Sequence, residues 1–257
     1  MKRETISLAD IELELHEAGE GAPLLFLHSG QGFNPNHPYV GMLAKSRRVI
    51  APSHPGFGRS SLPDWLDTVD DIAHVYLELM DRLGLARVDV IGCSIGGWIA
   101  AEMGSKAPER ITRLVLLAPV GVKTGSVDKL DIPDIYAMPQ ERVNALLFHD
   151  PAKMQLDPAK LPEDELTIFV RNRETLVLLA WEPYMHNPKL RHRLHRLAAP
   201  TLFLRGESDG LVSAEYIARY AQLLPNARVE TIAAAGHAAQ VEQPESFVRK
   251  ALAFLDA

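Results

Sequence analysis

Three residues stand where the chain could perform acyl-transfer chemistry. Ser94 lies between Gly92 and Gly96 in "VIGCSIGGW", residues 90 to 98, at the end of an apolar run. Asp209 lies in "LRGESDGLV" and His237 in "AAAGHAAQVEQPESF", each just past another apolar run. A serine hydroxyl is a weak nucleophile until a base takes its proton, and the base needs a third group to hold its tautomer. Ser94, Asp209 and His237 can fill those roles in that chain order. The chain has ten histidines, and His237 stands out by place rather than type. The other strand end with room for an acid, after "LVLLA", offers no carboxylate before Asp128.

The order strand, Gly-x-Ser-x-Gly, helix is the setting of a nucleophile elbow. So sharp a turn brings side chains two residues either side of the serine into collision, which predicts glycine at both places. The turn also starts a helix, so the Ile95 amide points at whatever Ser94 attacks, with the positive end of the helix dipole behind it. A tetrahedral oxyanion needs a second donor, each worth roughly 3 kcal/mol or somewhat more of barrier. The loop "HSGQG", residues 28 to 32, supplies it. Its glycines allow close approach to a substrate; Gly30 is the expected donor, and Ser29 is expected to line the substrate site.

The elements that must position these residues are legible as alternating runs. "IELELHE" has the two-residue period of a half-exposed strand, while "LLFLH", "RVIAP", "VDVIG", "LVLLA", "PTLFLRG" and "ARVETIA" read as strands, mostly buried. Between them "TVDDIAHVYLELMDRLGL" and "GGWIAAEMGSKAPER" read as helices, the first with Asp70 and Asp71 near its positive end, and "ESFVRKALAFL" closes the chain. Strands alternating with helices predict an α/β fold on a mostly parallel sheet, with Ser94, Asp209 and His237 at the carboxyl ends of its strands, the edge where such sheets bind ligands. Residues 121 to 196 break the rhythm with helical patterns, many Pro and Asp, and no convincing strand.

Within that stretch "ELTIFVRNRETLVLLAW" predicts a helix that gathers Leu166, Phe169, Val170, Val177 and Trp181 on one face. Arg173 is expected to project from this face while Arg171 points away; if the face roofs the pocket Arg173 binds a substrate carboxylate or enolate, and otherwise it snorkels or pairs with Glu174 or Glu182. Trp181 is expected at the substrate. "RHRLHR" reads as a solvated helix face opposite Leu190, Leu194 and Leu197.

Composition bounds the partners. The 257 residues carry 27 Lys and Arg against 33 Asp and Glu, a formal charge of −6 that offers no field for nucleic acid or an acidic membrane. No window approaches eighteen uninterrupted apolar residues, and no apolar stretch follows the basic start. Cys93 is the only cysteine, which excludes an internal disulfide and a cysteine zinc cluster. The expectation is a cytoplasmic protein with a small-molecule partner, no cofactor and no metal; a homodimer is left open. The elbow is no phosphate loop, because Trp98 stands where Lys-Ser/Thr would follow.

Along nearly its whole length the chain resembles the α/β-hydrolase fold family. Ser94 matches the family's elbow serine, Asp209 its acid, His237 its base and "HSGQG" its oxyanion loop, and "HPGFGRSS" resembles its P-G-x-G-x-S turn. The resemblance implies an eight-stranded, mostly parallel sheet flanked by helices. It divides the chain into a core of residues 1–120 and 197–257 and an inserted helical cap of residues 121–196. The chain departs from the pattern at Ser29, where many members have glycine, and at Ser53, where the family usually has an acidic residue. The implied activity is cofactor-independent serine hydrolysis, with small carboxylic esters leading. Hydrolysis of a carbon-carbon bond in a ring-cleavage product comes next, because "GHAAQVEQPESF" resembles the base loop of those hydrolases. They usually have tryptophan after the histidine, where this chain has Ala238. A ligand receptor of the same fold, with slow turnover, is the alternative outside enzymes.

Overall fold

The computed structural model describes residues 1–126, 128–154 and 157–257. In chain order its elements are β1 (Lys2–Leu8), β2 (Ile11–Ala18), β3 (Ala22–Leu27), α1 (Pro38–Leu43), β4 (Arg47–Pro52), α2 (Val69–Arg82), β5 (Val88–Cys93), α3 (Ile95–Lys106) and β6 (Ile111–Leu117). There follow α4 (Gln140–Leu147), α5 (Glu163–Ala180), β7 (Thr201–Gly206), α6 (Ala214–Ala221), β8 (Ala227–Ile232), α7 (Ala239–Glu242) and α8 (Pro244–Leu255). The eight strands form one sheet in the order β1-β2-β4-β3-β5-β6-β7-β8. The pairs β1/β2 and β2/β4 are antiparallel and all others parallel.

All seven expected strands form. The eighth, β1, escapes hydropathy because it is an edge strand whose exposed residues are charged (Lys2, Arg3) or hydroxylic (Thr5, Ser7), with only Leu8 buried. Every residue of β5 is buried, and alternate side chains enter different cores. Leu25, Leu27, Val90, Leu114 and Leu116 pack with residues of α2 and α3, whereas Leu24, Phe26, Ile91, Val115 and Leu117 pack with residues of α1 and α8. Burial of Val90 and Ile91 on opposite faces contributes roughly 1.5–3 kcal/mol each and fixes β5 from both sides. The start of α2 is capped by Thr68, whose hydroxyl accepts from the Asp71 amide while the Asp71 carboxylate returns the bond.

Between β6 and β7 the described residues hold two helices, short 3₁₀ turns and one isolated bridge, Gly121 with His186, that joins the start of the segment to the stretch after α5. Residues 190–196 form two 3₁₀ turns rather than an α-helix, yet Leu190, Leu194 and Leu197 are fully buried as their spacing predicts.

The departure at Ser53 has a structural counterpart. Glu14, buried on β2, accepts hydrogen bonds from Ser53 Oγ (2.8 Å) and the Arg59 amide (3.1 Å), with His16 Nε2 at 3.7 Å. A carboxylate thus reaches the turn after β4 from the neighbouring strand. Burial pushes the Glu14 pKa up, but His16, Ser53 and Arg59 outweigh it and hold it at about 2. Because the folded value lies below the unfolded 4.5, the stabilisation is complete above pH 4.5 and is lost as pH falls toward 2. Glu14→Gln should cost on the order of 1–3 kcal/mol at pH 7, and chemical denaturation at pH 7, 4 and 3 should show the gap from the native protein closing. A gap constant across that range would contradict this account of the turn.

Candidate active site

Ser94 sits between β5 and α3 in a strained conformation, φ +54° and ψ −115°, of the kind that costs about 1–3 kcal/mol and is kept where a site needs it. Its amide donates to Leu117 O (2.9 Å), and its carbonyl accepts from Gly97 and Trp98 (3.0 and 3.1 Å). The flanking glycines are required by close backbone approach. A Cβ on Gly96 would lie 2.2 Å from Leu27 O and 2.5 Å from His28 O, and one on Gly92 would lie 2.5 Å from Gly96 O. The obstacle at position 96 is therefore the end of β3, not a side chain at position 92. Among the described residues the amides of Ile95 and Gly30 have no backbone acceptor, as the first turn of a helix dictates for Ile95.

Asp209 and His237 come together. Nδ1 of His237 lies 3.0 Å from Oδ2 of Asp209, whose side chain is wholly buried. The other carboxylate oxygen accepts from the Leu211 and Val212 amides (2.9 and 2.8 Å). An ionised carboxylate only accepts, so Nδ1 carries the proton and Nε2 is left as the basic nitrogen. No hydrogen bond joins Ser94 Oγ to the imidazole in this structure; such contacts tighten when substrate binds. Three parallel strands of the sheet explain the placement, β7 and β8 side by side and β5 separated from them by β6. Ser94 follows β5 directly, Asp209 comes three residues after β7, and His237 comes five after β8.

Polar groups that the sequence alone did not single out shape these two loops. Arg205 donates to Val212 O (2.9 Å), Glu207 O (3.2 Å) and Asp209 O (2.6 Å), curling the acid loop around one guanidinium. The last carbonyls of α4, which have no partner within the helix, accept from the loops: Leu146 O from the Gly210 amide (2.9 Å) and Leu147 O from the His237 amide (2.7 Å). Glu242 accepts from Gly236 (2.6 Å) with one oxygen and from His149 (2.8 Å) and Asp150 (3.2 Å) with the other. The Asp209 and His237 loops are thus joined to the end of α4 by main-chain bonds, and the His237 loop to residues 149 and 150 through the Glu242 carboxylate.

The loop 28–32 rests on two stacked, fully buried histidines, His28 and His54, with ring centroids 3.6 Å apart. His28 Nδ1 donates to Ser29 O (2.7 Å) and its Nε2 accepts the His54 amide (2.9 Å). His54 Nε2 donates to His28 O (2.9 Å), and its Nδ1 accepts from Tyr76 Oη. Burial pushes the His28 pKa down to about 4 and that of His54 well below the ordinary value, so both rings are neutral at pH 7.

Helix α5 forms, but a different face meets the core from the one its apolar residues suggest. Asn172, Thr175, Leu179 and Ala180 are buried, while Val170 and Trp181 are 43% and 47% exposed. Arg173 is exposed, lying over the Phe169 ring and donating to Gln140 Oε1 (3.2 Å). Trp181 packs edge-on against Tyr136 and Tyr184. The inward arginine is Arg171, which donates to the carbonyls of Gly58 (3.4 Å) and Ser60 (2.5 Å). The registers differ because polar contacts with the turn after β4 decide which side of the helix faces in. Ser29 is half-buried.

A family model described as "Alpha/beta hydrolase family" matches residues 24–250. Among curated proteins, the chain is 29% identical to 2-hydroxymuconate semialdehyde hydrolase of Pseudomonas putida, over 97% of this chain and 92% of that one. Among solved structures it is similar to a bromoperoxidase from Bacillus anthracis, with a TM-score of 0.80, 22% identity and all of both chains covered. A meta-cleavage product hydrolase from Pseudomonas fluorescens IP01 superposes with a TM-score of 0.78 at 21% identity, over 98% of this chain and 97% of that one. The strand order, the elbow and the family match lead to one conclusion: the chain belongs to the alpha/beta hydrolase family and is a hydrolase.

Proposed function

We propose that this hydrolase works by a Ser94–His237–Asp209 triad on the carbonyl carbon of a small substrate, with a carboxylic ester as the leading class. The contact between Asp209 and His237, with Ser94 on a strained tip at the same sheet edge, carries the reading. His237 Nε2 takes the proton as Ser94 Oγ attacks, and Asp209 stabilises the resulting imidazolium through Nδ1–H. The tetrahedral oxygen takes hydrogen bonds from the Ile95 and Gly30 amides. Collapse passes the proton from Nε2 to the leaving group and leaves an acyl-enzyme; water, activated by the same nitrogen, releases the acid. Residues 121–196 act as the roof of the site, supported by the end of α4 against the His237 loop and by Asn172 and Leu176, within α5, against the loop 28–32. Ser29 lines the substrate at the mouth of that loop.

Carbon-carbon hydrolysis of a dienoate is the second reading. It is favoured by the similarity to 2-hydroxymuconate semialdehyde hydrolase over nearly the whole chain. Two features of this chain weigh toward esters. Ala238 stands where those hydrolases usually have tryptophan, and both arginines of α5 are engaged with protein groups rather than free for a carboxylate. Dehalogenation and epoxide opening are disfavoured because those relatives use an aspartate at the position of Ser94.

A fluorophosphonate should label Ser94, and Ser94→Ala should remove both labelling and esterase turnover with the melting temperature preserved; labelling of another serine in the native protein would reject the mechanism. Asp209→Asn and His237→Ala should each lower kcat by on the order of 10⁴, and near-native turnover in either would reject that residue's role. A panel of short-chain aryl esters and dienoates separates the readings. Higher kcat/KM on esters is expected, and a preference for dienoates of tenfold or more would establish the second reading instead. Turnover of neither class, with tight binding of one of them, would leave the receptor reading standing.

A further inference from the structure

The buried amide of Asn172 has both of its ends matched. Its Nδ2 donates to Gln31 O (3.1 Å) and its Oδ1 accepts from the Gly58 amide (2.9 Å). A carbonyl only accepts and a main-chain amide only donates, so these partners fix which end of the side chain faces which loop. Asn172 thereby ties α5 to the loop 28–32 and to the turn after β4 at once. The approach is close: a Cβ on Gly32 would lie 2.3 Å from Asn172 Nδ2, and one on Gly30 would lie 2.6 Å from Leu176 Cδ2. The glycines of "HSGQG" therefore make room for α5. At Gly32 the backbone also sits at φ +92°, where a side chain is strained.

The bond at Gln31 reaches Gly30 through two peptide groups. Asn172 holds the carbonyl of the Gln31–Gly32 peptide, and the N–H of that same peptide donates to Ser29 O (3.0 Å). Ser29 O belongs to the Ser29–Gly30 peptide and also accepts from His28 Nδ1 (2.7 Å). In a planar trans peptide the C=O and N–H point in opposite directions, so holding Ser29 O on one side turns the Gly30 N–H to the other. His28 and His54 hold this unit from the core; Asn172 is its hold from the β6–β7 segment.

We propose that Asn172 is a positioning residue for the oxyanion donor: through the Gln31 carbonyl it sets the plane of the Ser29–Gly30 peptide and so the aim of the Gly30 N–H. The proposal rests on the reading of Gly30 as that donor and of Ser94 as the nucleophile. Its natural control is Thr175, one turn along α5 and equally buried, whose hydroxyl donates to Gly56 O (2.9 Å). Thr175 secures the helix to the turn after β4 and makes no hydrogen bond to the loop 28–32.

The test compares Asn172→Ala, Asn172→Asp and Thr175→Val on a short-chain aryl ester, with Ser94→Ala beside them. Loss of a whole oxyanion donor costs about 10²–10³ in kcat; a misaimed donor should cost about 10–100-fold, with KM within about threefold. Affinity for a trifluoromethyl ketone, which forms a tetrahedral adduct, should fall in parallel with kcat. Asn172→Asp keeps the acceptor for Gly58 and loses the donor to Gln31, so it should show the same loss if the alanine variant fails to fold. Thr175→Val should lower the melting temperature comparably and leave kcat within about threefold. Unchanged kcat in a folded Asn172 variant, or equal loss in the Thr175 variant, would overturn the proposal and leave Asn172 a structural tie. Activity retained by Ser94→Ala would instead overturn the serine reading, and the proposal with it.

Discussion

The whole site depends on how closely the start of α3 lies against the end of β3. Gly96 is pressed onto the carbonyls of Leu27 and His28 so tightly that no Cβ fits. That contact puts the first amide of the helix beside the loop that begins at His28. The parallel pairing of β3 with β5 sets the two ends level, through Leu27 opposite Gly92. The strain at Ser94 is the local cost of the arrangement, and it is sustained by a strand buried on both faces. A sheet edge less firmly packed could not hold a serine at such angles.

Around that contact the protein uses neutral or fully paired polar groups. His28 and His54 are kept uncharged by burial, and each donates one N–H to a main-chain carbonyl at the start of the loop 28–32. Glu14 brings the charge that Ser53 lacks, and its hydrogen bonds keep it ionised despite burial. Buried polar groups left half satisfied are expensive, so these networks narrow the loop to one conformation. The β6–β7 segment joins in through backbone bonds at α4 and through Asn172 and Thr175 on α5. Its seating and the shape of the site are thereby linked.

Much of this was legible from sequence where local pattern and place suffice. Alternating and apolar runs mark seven strands, and Ser94, Asp209 and His237 each stand shortly after one of them. What stayed hidden depends on partners far apart in the chain. Asn172 meets Gln31 across 141 positions and Glu14 meets Ser53 across 39; in sequence each looks like a polar residue on an exposed face. Arg171 and Arg173 show the same limit, since residues two apart on a helix point about 200° apart and a change of buried face exchanges them. The face chosen from apolar residues was overruled by polar contacts with Gly56, Gly58 and Ser60. The edge strand β1 was missed because its burial is slight and its charges are those that protect an exposed edge.

The central claim is geometric: one tetrahedral centre bonded to Ser94 has its oxygen between two main-chain amides supplied by different strand ends. The most direct measurement is a crystal structure of the protein inactivated with a small alkyl phosphonate, which leaves a stable tetrahedral phosphorus on the nucleophile. The account predicts phosphorus bonded to Ser94 Oγ, a phosphoryl oxygen about 3 Å from both the Ile95 and Gly30 nitrogens, and His237 Nε2 facing the leaving-group side. Phosphorus on another residue, or a phosphoryl oxygen turned away from the loop 28–32, would contradict it.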